Sequence, residues 1–380
     1  MRINQSTFTI VTNGFADGPA QPLRDYLLAR NAQKLIMINH PLVREGSNKH
    51  LVTTYEKGKV TSQKKYSLPN RPPYTFILDP FAPLRVPTST AWFAFNNLAA
   101  LKGLRQKRRG KVEKVYYWAV DFVPNRFGNN LMTKAYNTVD KKVCREVDAR
   151  IELAAAALEK RPGYLGLDAS EIAPGLVVPM GTWLDRTPKA KPSAWKSKKV
   201  VYLGHLVERQ GVATLVRALQ IVIKKDPAVT AEIIGGGPER ESLEALAKEL
   251  GIAKQVTFHG FVKDHKDVES ILASGTIAAA PYVKDETTFT QFADPGKLKA
   301  YLGASLPIVL TDVPPNAREL EKAGAAIIVK DSPQDVAAGL QGLLSDQAKW
   351  LRAHQAAAKA AKEFDWNNLL GTALKKLGFE

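Results

Sequence analysis

A chain of 380 residues at roughly 100 to 200 per domain holds two or three domains, each able to bury a core without disulfides or structural metal. With 45% hydrophobic and 24% charged residues, it is neither a disordered chain nor a coiled coil. The formal charge of +17 is uneven, +13 within residues 1–180 and +4 in the remainder, and a first half that basic favours polyanionic partners such as nucleic acid, anionic lipid or phosphorylated substrates.

In chain order, the first half reads as buried strands at 8–14, 34–41, 74–80, 114–122 and 175–181, with helices such as 21–30 between them and an inserted hairpin over 51–67. Residues 90–103, TAWFAFNNLAALKG, read from Pro87 onward as a helix. Ala91, Ala94, Phe95, Leu98 and Leu101 form its stripe, and Trp92 and Phe93 fall off that face. The dense cluster 102–111 follows, with Arg105, Lys107, Arg108 and Arg109. Two readings stand side by side: a basic helix end complementing its own dipole, or a helix at a membrane interface with its aromatics among headgroups and its cations on anionic lipid. Nucleic acid is not expected, because no RNA-binding sheet, helix-turn-helix or P-loop signature accompanies the charge. The Pro- and Lys-rich stretch 183–197 reads as a linker.

The second half alternates short apolar strands (200–204, 231–236, 256–260, 277–282, 307–311, 325–329) with amphipathic helices, the pattern of a parallel sheet covered on both faces. The fold class is α/β, with two Rossmann-like domains facing each other across a cleft. The domains are 1–182 and 198–361, and the final segment 362–380 carries enough apolar residues to dock. No apolar run reaches the roughly 18 residues of a membrane span and no secretory leader opens the chain, so a cytoplasmic place at the inner face of the membrane is expected. Cys144 is the only cysteine, and His259 with His265 read as surface histidines, so no metal site is expected.

Four loops at successive strand ends of the second domain carry the candidate chemistry. The first holds His205, Glu208, Arg209 and Gln210. The second is the glycine run Gly235, Gly236 and Gly237, where absent side chains let a ligand approach backbone. Phe261 and Val262 form the third and suit the wall of a nucleobase site. The fourth is Asp294, Pro295 and Gly296 ahead of a helix with Lys297 in its first turn, a phosphate site in which the ammonium would hold charge on a departing diphosphate. In the first domain Asp121 follows a strand and could orient or deprotonate an acceptor hydroxyl, or else cap a helix or pair with Arg126. His40 is a second candidate of that sort.

The order of 177–183, 201–219, 233–251, 256–262 and 294–312 resembles the GT-B glycosyltransferases of family 4, called group 1. The resemblance implies a retaining hexosyltransferase needing no metal or cofactor. A UDP- or GDP-sugar donor would lie against Gly14, His205, Gln210, Gly236, Gly237, Phe261, Val262, Tyr282, Asp294, Pro295, Gly296 and Leu298. Charge on the diphosphate would be met by Lys297 and Arg209, domain closure would exclude water, and Asp121, with Arg126 and His40, would face a lipid-linked or polysaccharide acceptor. The resemblance also makes 1–182 the acceptor side, 198–361 the nucleotide side and 362–380 a final helix returning to the first domain. Four positions depart from the pattern. His205 and Gln210 stand where the family has Arg and Lys, and Phe292 and Ala300 where it has a pair of glutamates. A binding-only relative of the family, or a protein that uses its basic half on nucleic acid or another anionic surface, are the alternatives.

Overall fold

The computed structural model describes residues 1–13, 18–41, 49–67, 87–124, 126–284 and 292–380. They form two compact units, Met1–Pro179 with Trp366–Glu380, and Met180–Asp365. The expected strand at 74–80 lies outside the described residues, as does Gly14.

The sheet of the first unit runs in spatial order β4 (Lys59–Ser67), β3 (Lys49–Glu56), β2 (Lys34–His40), β1 (Thr7–Asn13), β5 (Ser89–Ala94), β6 (Val112–Ala119), β7 (Ala149–Glu152) and β8 (Gly175–Val177). All neighbours from β2 to β8 pair in parallel, and β3 and β4 form an antiparallel hairpin on the β2 edge. The expected helix over 90–103 is corrected here. Residues 89–94 are strand β5, between β1 and β6, and α2 (Asn97–Arg108) begins only after Asn96, whose side chain accepts from the Ala99 amide. A central strand covered on both faces shows no period-two alternation, and its apolar run merges in sequence with that of the next helix. Trp92 and Phe93 are accordingly fully buried, and the Trp92 indole donates to the Ala99 carbonyl at 3.1 Å. They are core residues and cannot enter a headgroup layer.

The basic end of α2 is largely matched within the unit: Lys107 bonds Asp148 at 2.7 Å and Arg108 pairs with Glu146, while Arg109 caps the helix and is exposed. Helix α12 (Trp366–Lys376) belongs to this unit, Phe379 packing edge-on to Phe8 at 5.3 Å between ring centres and Tyr116 donating to the Leu377 carbonyl at 3.2 Å.

The second unit holds a six-stranded parallel sheet in the order β11 (Val256–Gly260), β10 (Thr230–Ile234), β9 (Lys199–Leu203), β12 (Ile277–Ala280), β13 (Ile308–Thr311) and β14 (Ala326–Val329). Its first strand in sequence, β9, sits beside its fourth, β12, so the winding reverses between them. Ligands in such sheets bind outside the carboxyl ends of the strands at that reversal. Helices α5 (Val212–Lys225) and α10 (Pro333–Leu344) bury Leu215, Leu219, Val336 and Leu340 on one face. Helix α8 (Gly296–Gly303) buries Leu298, Tyr301 and Leu302 on the other. The stretch 183–197, expected as a linker, is part of this unit: Ala190 is buried and the Trp195 indole donates to the Leu343 carbonyl at 3.2 Å. Among the described residues no helix is long and apolar enough to cross a membrane.

Candidate functional site

Strand β9 delivers Tyr202 and Gly204 to the winding reversal, and β12 leads into Tyr282. Helix α8 starts at Gly296 with no side-chain cap, and Lys297 in its first turn extends into the space between the two strand ends. Its Nζ lies 4.4 Å from the centre of the Tyr202 ring and 4.9 Å from that of Tyr282. It donates to Tyr202 Oη at 3.1 Å and to Gln210 Oε1. Gly204 closes the cage: its φ of 151° is one that side-chain-bearing residues rarely adopt, and a Cβ there would fall 2.6 Å from the Lys297 ammonium.

Every contact around this cation is a ring face or a neutral oxygen, and no carboxylate among the described residues pairs with it. Burial therefore dominates, lowering its pKa from 10.5 to about 7. An ammonium enclosed by neutral groups, at the point where this fold binds ligands, is suited to an anion.

The glycine run follows β10. Gly235, with φ 139°, passes so close to the β9 loop that a Cβ would lie 1.9 Å from the Gly204 carbonyl oxygen, and one on Gly237 would lie 2.3 Å from that of Leu206. Those two glycines let the loops after β9 and β10 pack together. A Cβ on Gly236 would have Phe261 Cβ at 3.7 Å as its nearest neighbour, which leaves this backbone open to a ligand. Phe261, just beyond β11, is 82% exposed, a large apolar side chain in water beside that open backbone, and Val262 is half-buried.

Other predicted residues play different parts. Asp294 pairs with the fully buried Lys299 and also accepts from the Met180 amide at 2.5 Å, so its carboxylate anchors the start of α8. Leu298 and Tyr282 are core side chains, and of the two it is the Tyr282 ring face that meets Lys297. Pro295 and Gly296 form the helix start as expected from the sequence. His205 and Arg209 are exposed on the β9 loop; Gln210 alone of its polar residues bonds Lys297. Phe292 and Ala300 supply no carboxylate. His259 and His265 each bond a glutamate, Glu232 and Glu269, and are separate.

In the first unit Asp121 follows β6 and its half-exposed carboxylate accepts from Arg126, the ion pair read as one alternative from sequence. Beneath it lies a buried network the sequence did not reveal. Arg161, 2% exposed, donates to Asp140 at 2.8 Å, to Glu152 at 2.7 and 2.9 Å and to the Asp121 carbonyl at 3.2 Å, and it holds the strand ends of β6 and β7 together. His40 is not placed for an acceptor. It is 1% exposed, its Nδ1 lies 2.6 Å from that of His50 on β3, and burial, then Lys102 and His50, lower its pKa to about 3. Asp121 and Lys297 belong to different units.

The comparisons with known proteins agree with this architecture. Residues 197–346 match the family model described as glycosyl transferases group 1. An uncharacterized glycosyltransferase from Haemophilus influenzae is 26% identical over 43% of this chain and 44% of its own. The phosphatidyl-myo-inositol mannosyltransferase of Mycolicibacterium smegmatis is 26% identical over 58% of this chain and 55% of its own. The chain thus spans about half the length of these curated relatives. Among solved structures, sucrose-phosphate synthase from Thermosynechococcus elongatus superposes with a TM-score of 0.72 at 14% identity, covering 98% of this chain and 99% of that one. HepE from Anabaena, in complex with UDP and glucose, gives 0.69 at 15% identity over 98% and 100%. The second unit thus carries the match to the group 1 glycosyltransferases, and the fold is the GT-B architecture of these solved structures.

Proposed function

We propose that the protein transfers a hexose from a nucleoside-diphosphate-sugar to a lipid-linked or polysaccharide acceptor at an anionic membrane surface, with retention of configuration and without a metal. The observation that carries this reading is the Lys297 ammonium, caged at the winding reversal of the second sheet by neutral groups, with no carboxylate paired to it among the described residues. A departing diphosphate accumulates negative charge, and a cation with the start of α8 beside it stabilises that charge more as the bond breaks than before. Gly236 and the exposed Phe261 offer open backbone and an apolar face for the base. The names of two similar proteins fit the substrate classes: a phosphatidyl-myo-inositol mannosyltransferase, and HepE with UDP and glucose.

Asp121 is the residue we assign to the acceptor hydroxyl, with Arg126 holding its carboxylate in place. The membrane reading rests on the basic charge of the first unit, since Trp92 and Phe93 are core. Of the α2 cations, the exposed Arg109 at the helix end is the one we assign to lipid. A binding-only relative is the second reading, favoured by the neutral Gln210 and by Phe292 and Ala300.

The test is nucleoside-diphosphate release from a panel of UDP-, GDP- and ADP-sugars, with and without a bacterial lipid extract, and with Lys297→Ala as control. Release from one donor, raised by lipid and lost in the variant, is the expected result. Binding of a nucleotide without turnover, under every acceptor tried, would favour the second reading.

A further inference from the structure

Resting on that donor reading, we propose that Glu239 is the ribose-binding residue, its carboxylate accepting hydrogen bonds from the 2′- and 3′-hydroxyls of the donor nucleotide. Three independent observations lead there.

The first is the order of the strands. Phe261 follows β11, the glycine run follows β10, and the Lys297 cage lies where β9 meets β12. With the base against Phe261 and the diphosphate against Lys297, the sugar that joins them must cross the end of β10. Neighbouring strands are about 4.8 Å apart, so the span from β11 past β10 to β9 is about 10 Å, which suits a nucleoside diphosphate lying across the strand ends. Glu239 is the residue that enters α6 (Arg240–Glu249) directly after the glycine run, and its amide donates to the Leu206 carbonyl of the β9 loop at 3.2 Å. It therefore stands between the two loops the ribose would overlie.

The second is that Glu239 Oε2 is buried and has no hydrogen-bond partner, and it is the only such carboxylate oxygen among the described residues. A buried acceptor left unmatched is costly and uncommon, and calls for a partner supplied from outside the chain. An ionised carboxylate accepts and cannot donate, so that partner must bring hydroxyl or amide hydrogens, or a cation. A vicinal diol presents two O–H donors at the spacing of one carboxylate.

The third is electrostatic. Burial, and then the neighbouring Glu208, raise the pKa of Glu239, and its charge is felt at Tyr202. The carboxylate thus lies on the side of α6 that meets the β9 loop, near Glu208 and within reach of Tyr202. Placed there it would repel a phosphate, which fixes the polarity of the ligand: the neutral diol over Glu239 and the anion beyond it at Lys297.

The experiment measures Kd of the wild-type protein and of Glu239→Gln for UDP, GDP and ADP and for their 2′-deoxy counterparts, with thermal unfolding of each as a control on folding. The wild type should prefer the ribonucleotide by about tenfold to a hundredfold, the range for a hydrogen bond to a charged group. In Glu239→Gln the ribonucleotide should weaken by about tenfold or more and its preference over the deoxynucleotide should shrink to within about twofold, because the glutamine keeps shape but loses one acceptor oxygen and the charge; the deoxynucleotide, which offers only its 3′-hydroxyl, should lose less. A folded variant that weakens both nucleotides equally, or a wild type indifferent to the 2′-hydroxyl, overturns the assignment of Glu239 while leaving the donor site intact. A wild type that binds no nucleotide overturns the donor reading and the assignment with it.

Discussion

Replacing Lys297 with methionine should stabilise the protein at neutral pH and remove its affinity for diphosphates. The cage lowers the pKa of this lysine from 10.5 to about 7. A tenfold change in proton affinity is worth roughly 1.4 kcal/mol, so holding the charged form there costs about 5 kcal/mol against the unfolded chain. The sign follows from proton counting. Between about pH 7 and about pH 10 the unfolded lysine keeps its proton and the folded one has lost it, so the unfolded state binds more protons and stability rises with pH. Below about pH 7 both hold the proton and the full cost is present. Methionine has the same reach, packs against Tyr202 and Tyr282, and has no such slope. Urea denaturation of both proteins from about pH 6 to about pH 10 reads this directly: the variant starts more stable, and the wild-type profile climbs towards it by up to roughly 1.4 kcal/mol per pH unit. Parallel profiles would mean that the ammonium is solvated or paired in solution, and the argument from the cage would fail.

The glycine run offers a second test. Gly235→Ala places a methyl 1.9 Å from a backbone oxygen at a positive φ, and should lower stability by more than about 2 kcal/mol. Gly236→Ala meets nothing closer than 3.7 Å and should melt as the wild type does, yet bind nucleotide at least about tenfold more weakly if the base or ribose lies against that backbone. Thermal unfolding and nucleotide titration separate the two, and a Gly236→Ala variant with wild-type affinity would remove the glycine run from the site. In the first unit, Trp92→Ala should cost about 3 to 5 kcal/mol of stability as a core truncation. Flotation with anionic liposomes, at a temperature where the variant is folded, should be unchanged; loss of flotation in folded protein would restore an interfacial role to β5.

The second unit was legible in the sequence because each of its strands is a short apolar run bounded by a glycine or a turn and followed by an amphipathic helix of ordinary length. Strands β9 to β14 and the helices that follow them lie where periodicity places them. Strand β5 was not legible: Ala91 to Phe95 are all buried, and an unbroken apolar run carries neither the period of a strand nor that of a helix. At the candidate site the helix start with Lys297 could be read, but not its surroundings. That the ammonium faces two tyrosine rings and one amide oxygen depends on Tyr202, Gln210 and Tyr282, up to 95 residues away, converging at the winding reversal. No motif or spacing singles out Glu239, nor Arg161, Asp140 and Glu152, because what marks them is the packing of residues distant in sequence.

The departures from the family pattern take on a different meaning once Lys297 is placed. Gln210 stands where the resemblance expects a lysine, yet its Oε1 accepts from the Lys297 ammonium. Two ammonium groups at that separation could not both be charged, since like charges in contact drive one proton off. On the donor reading, the neutral glutamine leaves the positive charge to Lys297, at the start of α8 rather than in the β9 loop. Gln210→Lys should then give no gain in UDP or GDP affinity at pH 7, and should lower further the pH at which Lys297 loses its proton. The measurement is Kd against pH for both proteins. A variant that binds diphosphate about tenfold or more tightly at neutral pH would show that the two positions act independently, and that the wild-type site lacks a charge rather than having relocated it.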